Sequence, residues 1–382
     1  MLTRAVGRDL RVAREGITTF GAGERRLLAY GGASMDDAAY FQALPKAELH
    51  LHLDGSVRPK TVLELAKQDG VSLPTHDVGK LKDFLEATDS TASLVEYIAY
   101  FELPIAVLQT VPALERATYE LCEDLKNDNV RYVEIRYGPW LHVQQGLSLT
   151  DVIRAVLSGW TAGKKAFGLE GGVIVTALRD MPPAQNVSLA QIAGRYVSEG
   201  VVGFDLAGDE AGHPPILHED AFRVARSLGL NITIHAGEAA GPESVRQAIS
   251  MGAVRLGHGV RAQEDADVIA MIKENGVQLD MAPTSNAHTK AVRRLEDHPL
   301  KRFYQQGIKV TISTDSRTVS DVTLTQEYQT VSRVLGCTRE EISAMNLQAL
   351  DGGFGDQVTR ARLRHEFVDA MAKLRPAAPT SS

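Results

Sequence analysis

Two histidines stand two residues apart in Ala47-Glu48-Leu49-His50-Leu51-His52-Leu53-Asp54-Gly55. A third opens His235-Ala236-Gly237-Glu238, a fourth sits in Gly257-His258-Gly259, and an aspartate ends Val310-Thr311-Ile312-Ser313-Thr314-Asp315. Each group closes a short apolar run that reads as a β-strand. Side chains alternate along a strand, so His50 and His52 point to the same side. Neutral imidazoles and carboxylates are the usual ligands of a catalytic zinc ion. His50, His52, His235 and Asp315 therefore make a candidate set for one zinc, with a position left for water. A zinc-bound water ionises near neutral pH, and a metal-dependent hydrolase is the expected class. Glu238, three residues past His235, is a candidate general acid if burial keeps its carboxyl protonated. Its alternative is to cap a helix starting near Gly241-Pro242. His258 either binds the metal or contacts the metal-bound water as base or electrostatic partner. The second role is expected, because the first four groups already fill the ion's coordination apart from water.

These groups need a scaffold that gathers strand ends. Strands are predicted at 46–53, 130–137, 172–178, 201–206, 230–235, 253–257, 277–281 and 308–314. Helical spacing of apolar residues falls between most of them, at 184–199, 217–228, 241–251, 263–275 and 296–306. Repeated β-α alternation predicts a parallel sheet, and eight units predict a (β/α)8 TIM-type barrel. An open doubly wound sheet is disfavoured because no Gly-rich phosphate loop follows an early strand. The long interval 59–128 holds at least three helical patterns. It is predicted as a helical insertion after strand 1, on the catalytic face, as a lid or as packing over the barrel mouth. Further helices are predicted within 320–374.

The barrel domain is assigned to 35–374. Residues 1–34 carry six arginines, six glycines and no lysine, and are expected to be a disordered extension; 375–382 are expected to be a flexible tail. The net charge of −7 in 382 residues argues against nucleic-acid or acidic-membrane binding and for a small-molecule partner. No apolar stretch approaches the length of a membrane span. Two isolated cysteines, Cys122 and Cys337, suit a reducing compartment, so a cytoplasmic location is expected. Lys290, Arg293 and Arg294, beside Glu296 and Asp297, read as a solvated helix surface. The fourth strand, Gly203-Phe204-Asp205-Leu206-Ala207-Gly208-Asp209-Glu210, has no lysine to bridge a second metal, which favours a single ion.

Taken together, Leu44–Ser56, Tyr132-Val133-Glu134-Ile135-Arg136-Tyr137, Asp205-Leu206-Ala207-Gly208-Asp209-Glu210, His235-Ala236-Gly237-Glu238, Gly257-His258-Gly259, Thr284-Ser285-Asn286 and Ser313-Thr314-Asp315 resemble the adenosine deaminase family, in family order over about 40–345. The resemblance implies zinc on His50, His52, His235 and Asp315, with Asp315 and His52 also beside the substrate. It implies proton donation from Glu238 to the purine N1, and it implies that His258 orients the hydroxide and helps move its proton. It further implies a ribose hydroxyl on Asp54 and the Gly208 backbone at N3. The implied reaction converts adenosine and 2′-deoxyadenosine to inosine and 2′-deoxyinosine plus ammonia. One departure stands out. Many members follow the metal-binding aspartate with a second aspartate that reaches N7, and here the next residue is Ser316, whose hydroxyl is shorter and uncharged. Adenine, or a modified 6-aminopurine nucleoside, is therefore the alternative substrate. The run from Asn346 to Asp351-Gly352-Gly353-Phe354-Gly355 is unusually Gly-rich for that family, and the sequence assigns it no role.

Overall fold

The computed structural model describes residues 36–374, so the extension assigned to 1–34 and the tail assigned to 375–382 lie outside the described residues. The chain begins with α1 (Asp37–Ala43) and β1 (Lys46–His52). The insertion follows as α2 (Pro59–Asp69), α3 (Val78–Leu85), α4 (Leu94–Ala99) and α5 (Glu102–Val107), and α6 (Val111–Asn127) then leads into β2 (Val130–Tyr137). After these come α7 (Leu149–Phe167), β3 (Glu170–Leu178), α8 (Pro183–Ala193), β4 (Val201–Ala207), α9 (Glu219–Ser227), β5 (Asn231–Ala236), α10 (Pro242–Ser250) and β6 (Arg255–His258). The remainder is α11 (Ala266–Glu274), β7 (Gln278–Met281), α12 (Pro283–His288), α13 (Leu300–Gln305), β8 (Lys309–Ile312), α14 (Leu324–Leu335), α15 (Arg339–Gly352) and α16 (Gln357–Leu374).

All eight strands pair in parallel in sequence order. A parallel bridge between Leu51 and Asp315 joins the end of β8 to β1. Parallel strands covered on both faces are rich in apolar residues, which is why they read as short runs of Val, Ile and Leu, although paired charges such as Arg136 with Asp205 are also buried on them. The helices start and stop where local chemistry dictates. Ser148 and Asp151 form a reciprocal cap on α7, which ends at Gly168 with φ 67°; Thr323 and Gln326 do the same for α14, which ends at Gly336 with φ 66°. Both cysteines are buried and free. No helix among the described residues is long and apolar enough to cross a membrane.

The barrel's far end explains the Gly-rich run. Arg255 of β6 is buried, with Glu134 at 2.6 Å and Asp280 at 3.1 Å. The ring of Phe354 lies 3.7 Å from its guanidinium carbon, a cation–π contact. Glu134 also accepts from the Phe354 N–H, and the Tyr132 hydroxyl accepts from Gly355 N at 2.7 Å. A Cβ on Gly353 would fall 2.5 Å from the Tyr132 hydroxyl, and one on Gly352 would fall 2.2 Å from Gln278 Oε1. The glycines let the backbone press against the strand ends and close the barrel. The basic cluster is a correction: residues 289–294 form turns and bends rather than a helix, with Lys290 at φ 63°. Only Leu295–Asp297 makes a 3-10 turn, and Arg294 pairs with Asp297 across it.

Candidate metal and active site

The strand ends do gather the four ligand candidates. Ligand atoms of His50, His52, His235 and Asp315 all lie within 4.8 Å of one another; His50, His235 and Asp315 are buried, and the His52 side chain is 12% exposed. Nε2 of His50 and of His52 stand 3.2 and 3.3 Å from the same Asp315 oxygen, and His52 Nε2 is 3.1 Å from His235 Nε2. Donors held about 2.0–2.2 Å from one ion stand roughly 3–4.4 Å apart depending on the angle between them, so these close spacings suit a shared cation. Neither ring nitrogen of His50 has a hydrogen-bond partner despite full burial, and such orphans call for a ligand. Burial, with Arg136 and His235 nearby, holds the His50 imidazole well below its usual range. Burial likewise lowers His52 to about 4. Both rings are thus neutral and keep a lone pair free. Burial alone would raise Asp315, but its contacts with His50, His52 and His258 hold the carboxyl well below the usual range. A neutral-imidazole and carboxylate set is what a divalent metal takes.

The surroundings lock this set in place. Asp315 sits at φ 63° and His258 at φ 68°, left-handed positions that cost about 1–3 kcal/mol for a non-glycine and recur at functional sites. Asp315 is pinned there by bonds from its N–H to His50 O (2.9 Å) and from His52 N–H to its own O (2.6 Å). Ser285 Oγ donates to its second carboxylate oxygen at 2.6 Å. The His235 Nδ1 faces Asp205 Oδ2 at 3.1 Å, and Arg136 Nη1 meets the same oxygen at 3.1 Å. That carboxylate fixes the imidazole so that Nε2 points to the centre. Gly257 is needed too, because a Cβ there would lie 2.6 Å from the His50 ring.

Glu238 is 4% exposed, with Oε2 at 3.4 Å from His258 Nε2. Burial, then the charges of Asp315 and Glu210, push its carboxyl well above the usual range. It is therefore a protonated acid facing the ligand cluster. It does not cap α10, whose N-cap Gly241 has no side-chain bond. That end is served by Glu210, whose carboxylate accepts from the N–H groups of Gly237, Glu238, Ala239 and Ala240 and from Ser244 Oγ. The insertion covers this arrangement. Tyr97, Tyr100 and Phe101 pack with Val319 after β8 and with Ala239 beside Glu238.

The sequence profile of the adenosine deaminase family matches residues 45–370. The chain belongs to that family. An adenosine deaminase from Vibrio vulnificus is 40% identical over 327 residues, 85% of this chain and 98% of that one. Among solved structures, adenine deaminase from Arthrobacter aurescens superposes with a TM-score of 0.80 at 26% identity, covering 86% of this chain and 99% of that one. An amidohydrolase from Burkholderia ambifaria with bound zinc gives 0.80 at 25% identity, covering 90% and 96%.

The remaining candidates lie around this centre. Asp54 is buried in the turn after β1. Its carboxylate meets His142 Nε2 at 2.7 Å and accepts from Gly138 N at 3.2 Å. Gly208 follows β4 at φ 110°. A Cβ there would meet only Arg179, its N at 3.6 Å and its Cβ at 3.7 Å, so backbone conformation rather than space requires glycine. Ser316 is fully buried, and its Oγ has no hydrogen-bond partner. A Cβ on Gly55 would lie 2.4 Å from that oxygen, which ties Gly55 to Ser316. Asp205, Glu210, His142, Ser285 and Asn286 carry structure around the site that the sequence alone did not assign. Four of them lie in segments already singled out, but their partners are distant along the chain.

Proposed function

We propose that this chain is a zinc-dependent hydrolase that deaminates adenosine and 2′-deoxyadenosine to inosine and 2′-deoxyinosine, releasing ammonia. The observation that carries the reading is the convergence of His50, His52, His235 and Asp315 beside a protonated Glu238, in a chain of this family. When bound, the ion would activate a water at neutral pH. Glu238 gives its proton to the purine N1 as C6 becomes tetrahedral, which lets the ring accept charge. His258, buried beside Glu238, contacts the attacking water. Asp54, fixed by His142 and Gly138, takes a sugar hydroxyl, and the Gly208 N–H meets N3. Ser316 offers a hydroxyl toward N7. The packing of α4 and the turn after it beside Val319 and Ala239 keeps bulk water from competing.

A second reading is deamination of adenine or of a modified 6-aminopurine nucleoside. It is favoured by Ser316, an uncharged residue at the purine edge, and by the likeness to the Arthrobacter adenine deaminase. Side-by-side ultraviolet assays on adenosine, 2′-deoxyadenosine and adenine decide between them. Higher kcat/KM on the nucleosides supports the first reading, and higher kcat/KM on adenine replaces it with the second.

A further inference from the structure

A chain of hydrogen bonds behind His258 determines which of its nitrogens carries the proton. Leu300, the first residue of α13, points its backbone N–H at His298 Nδ1, 3.2 Å away. A backbone N–H can only donate, so His298 Nδ1 is an acceptor and bears no proton. The proton of that ring is therefore on Nε2, which lies 3.1 Å from Asn286 Oδ1. Asn286 is fully buried and His298 nearly so, and burial lowers His298 to about 3, in keeping with a neutral ring. With its oxygen accepting from His298, the Asn286 amide presents its NH2 to His258 Nδ1 at 3.0 Å. The reverse orientation of the amide would set two donors against each other at His298, so the Leu300 N–H excludes it. His258 Nδ1 is thus an acceptor as well, and the ring's proton sits on Nε2, the atom 3.4 Å from Glu238.

We infer that Asn286 and His298 are positioning residues that lock His258 into the Nε2–H tautomer, so that it meets the attacking water as a hydrogen-bond donor and not as a base. The inference rests on the function proposed above. An Nε2 that already bears hydrogen has no lone pair for a second proton. Protonation at Nδ1 would set that nitrogen against the Asn286 NH2. The ring therefore orients the water's oxygen through N–H donation, and the water's proton falls to Glu238 once that carboxyl has given its own proton to the purine N1. This gives Asn286 of the Thr284-Ser285-Asn286 segment a task beside that of Ser285, which bonds Asp315.

The test is long-range proton–nitrogen correlation spectroscopy on the full, zinc-loaded protein labelled with 15N-histidine. The His258 signals are identified by their loss in His258→Gln. The wild-type ring is expected to show a protonated Nε2 and a bare Nδ1; a proton on Nδ1 overturns the inference. Asn286→Asp replaces the donor with an acceptor, and is expected to draw the proton to Nδ1. It should lower kcat by about 10²-fold, the usual effect of losing one donor aimed at reacting atoms, with metal content unchanged and KM within about threefold. An unchanged tautomer in that variant, or a moved proton with kcat within about threefold of wild type, contradicts the assignment. Absence of turnover in the wild type would count against the proposed function, and the tautomer readout would still decide this inference.

Discussion

Replacing Glu238 by glutamine isolates the proton donor. The side chain keeps its size, and both forms are neutral, because burial and the charges of Asp315 and Glu210 keep the native carboxyl protonated. The amide can still donate a hydrogen bond to the purine N1 but has no acidic proton to transfer. Hydrogen bonding in the ground state should survive, so KM is expected to change by no more than about threefold. The chemical step should lose the contribution of general acid catalysis, about 10²–10⁴-fold in kcat, equivalent to roughly 3–6 kcal/mol of barrier at about 1.4 kcal/mol per decade. Stability should move little, since the Glu238 Oε1 has no hydrogen-bond partner to lose. Metal binding should be intact, because none of the four ligand candidates is touched. Steady-state ultraviolet assays, metal analysis and thermal unfolding on the same preparation measure all three. A metal-loaded, folded Glu238→Gln protein with kcat within about threefold of wild type would refute the assignment of Glu238.

Other perturbations probe other parts of the structure. Glu210→Gln leaves the N–H groups of residues 237–240 with a partly donating partner in place of a carboxylate; kcat should fall at least about tenfold, and the effect should nearly vanish in a Glu238→Gln background, where additive losses would contradict a shared role. Arg255→Leu strands Glu134 and Asp280 at the closed end of the barrel and should destabilise the fold by about 3–5 kcal/mol in denaturant titrations, with any surviving protein keeping its KM. The Glu327 carboxyl, which holds Thr284 at the start of α12, is raised from 4.5 to about 7 by burial. A carboxyl raised on folding favours the folded state most below pH 4.5 and loses that benefit as pH climbs to about 7, by up to about 3 kcal/mol. Glu327→Gln should flatten that part of the stability–pH curve, and an unchanged slope would show that Glu327 is not its source.

The barrel was legible because each parallel strand is buried on both faces and so appears as a compact apolar run between turn residues. The ligand set was legible for a related reason: His50 and His52 share a strand face, and His235 and Asp315 end their own runs. What the sequence concealed are contacts closed by the fold. Asp205 orients His235 across 30 residues and Glu210 binds the loop of Glu238 across 27 to 30. His142 reaches Asp54 across 88. Nothing local marks these residues, since a buried carboxylate and a solvated one look alike until the partner is known. The glycines at 352, 353 and 355 illustrate the same limit, because Tyr132 and Gln278, which they press against, lie on β2 and β7.

The central claim is that one divalent ion, held by His50, His52, His235 and Asp315, makes this chain an aminopurine deaminase. Its most direct test is metal-depleted protein titrated with zinc while adenosine loss is followed in the ultraviolet. The account predicts activity rising to a plateau at one equivalent of zinc and no such recovery in His235→Ala. Full turnover without metal, or a plateau reached equally by His235→Ala, would contradict it.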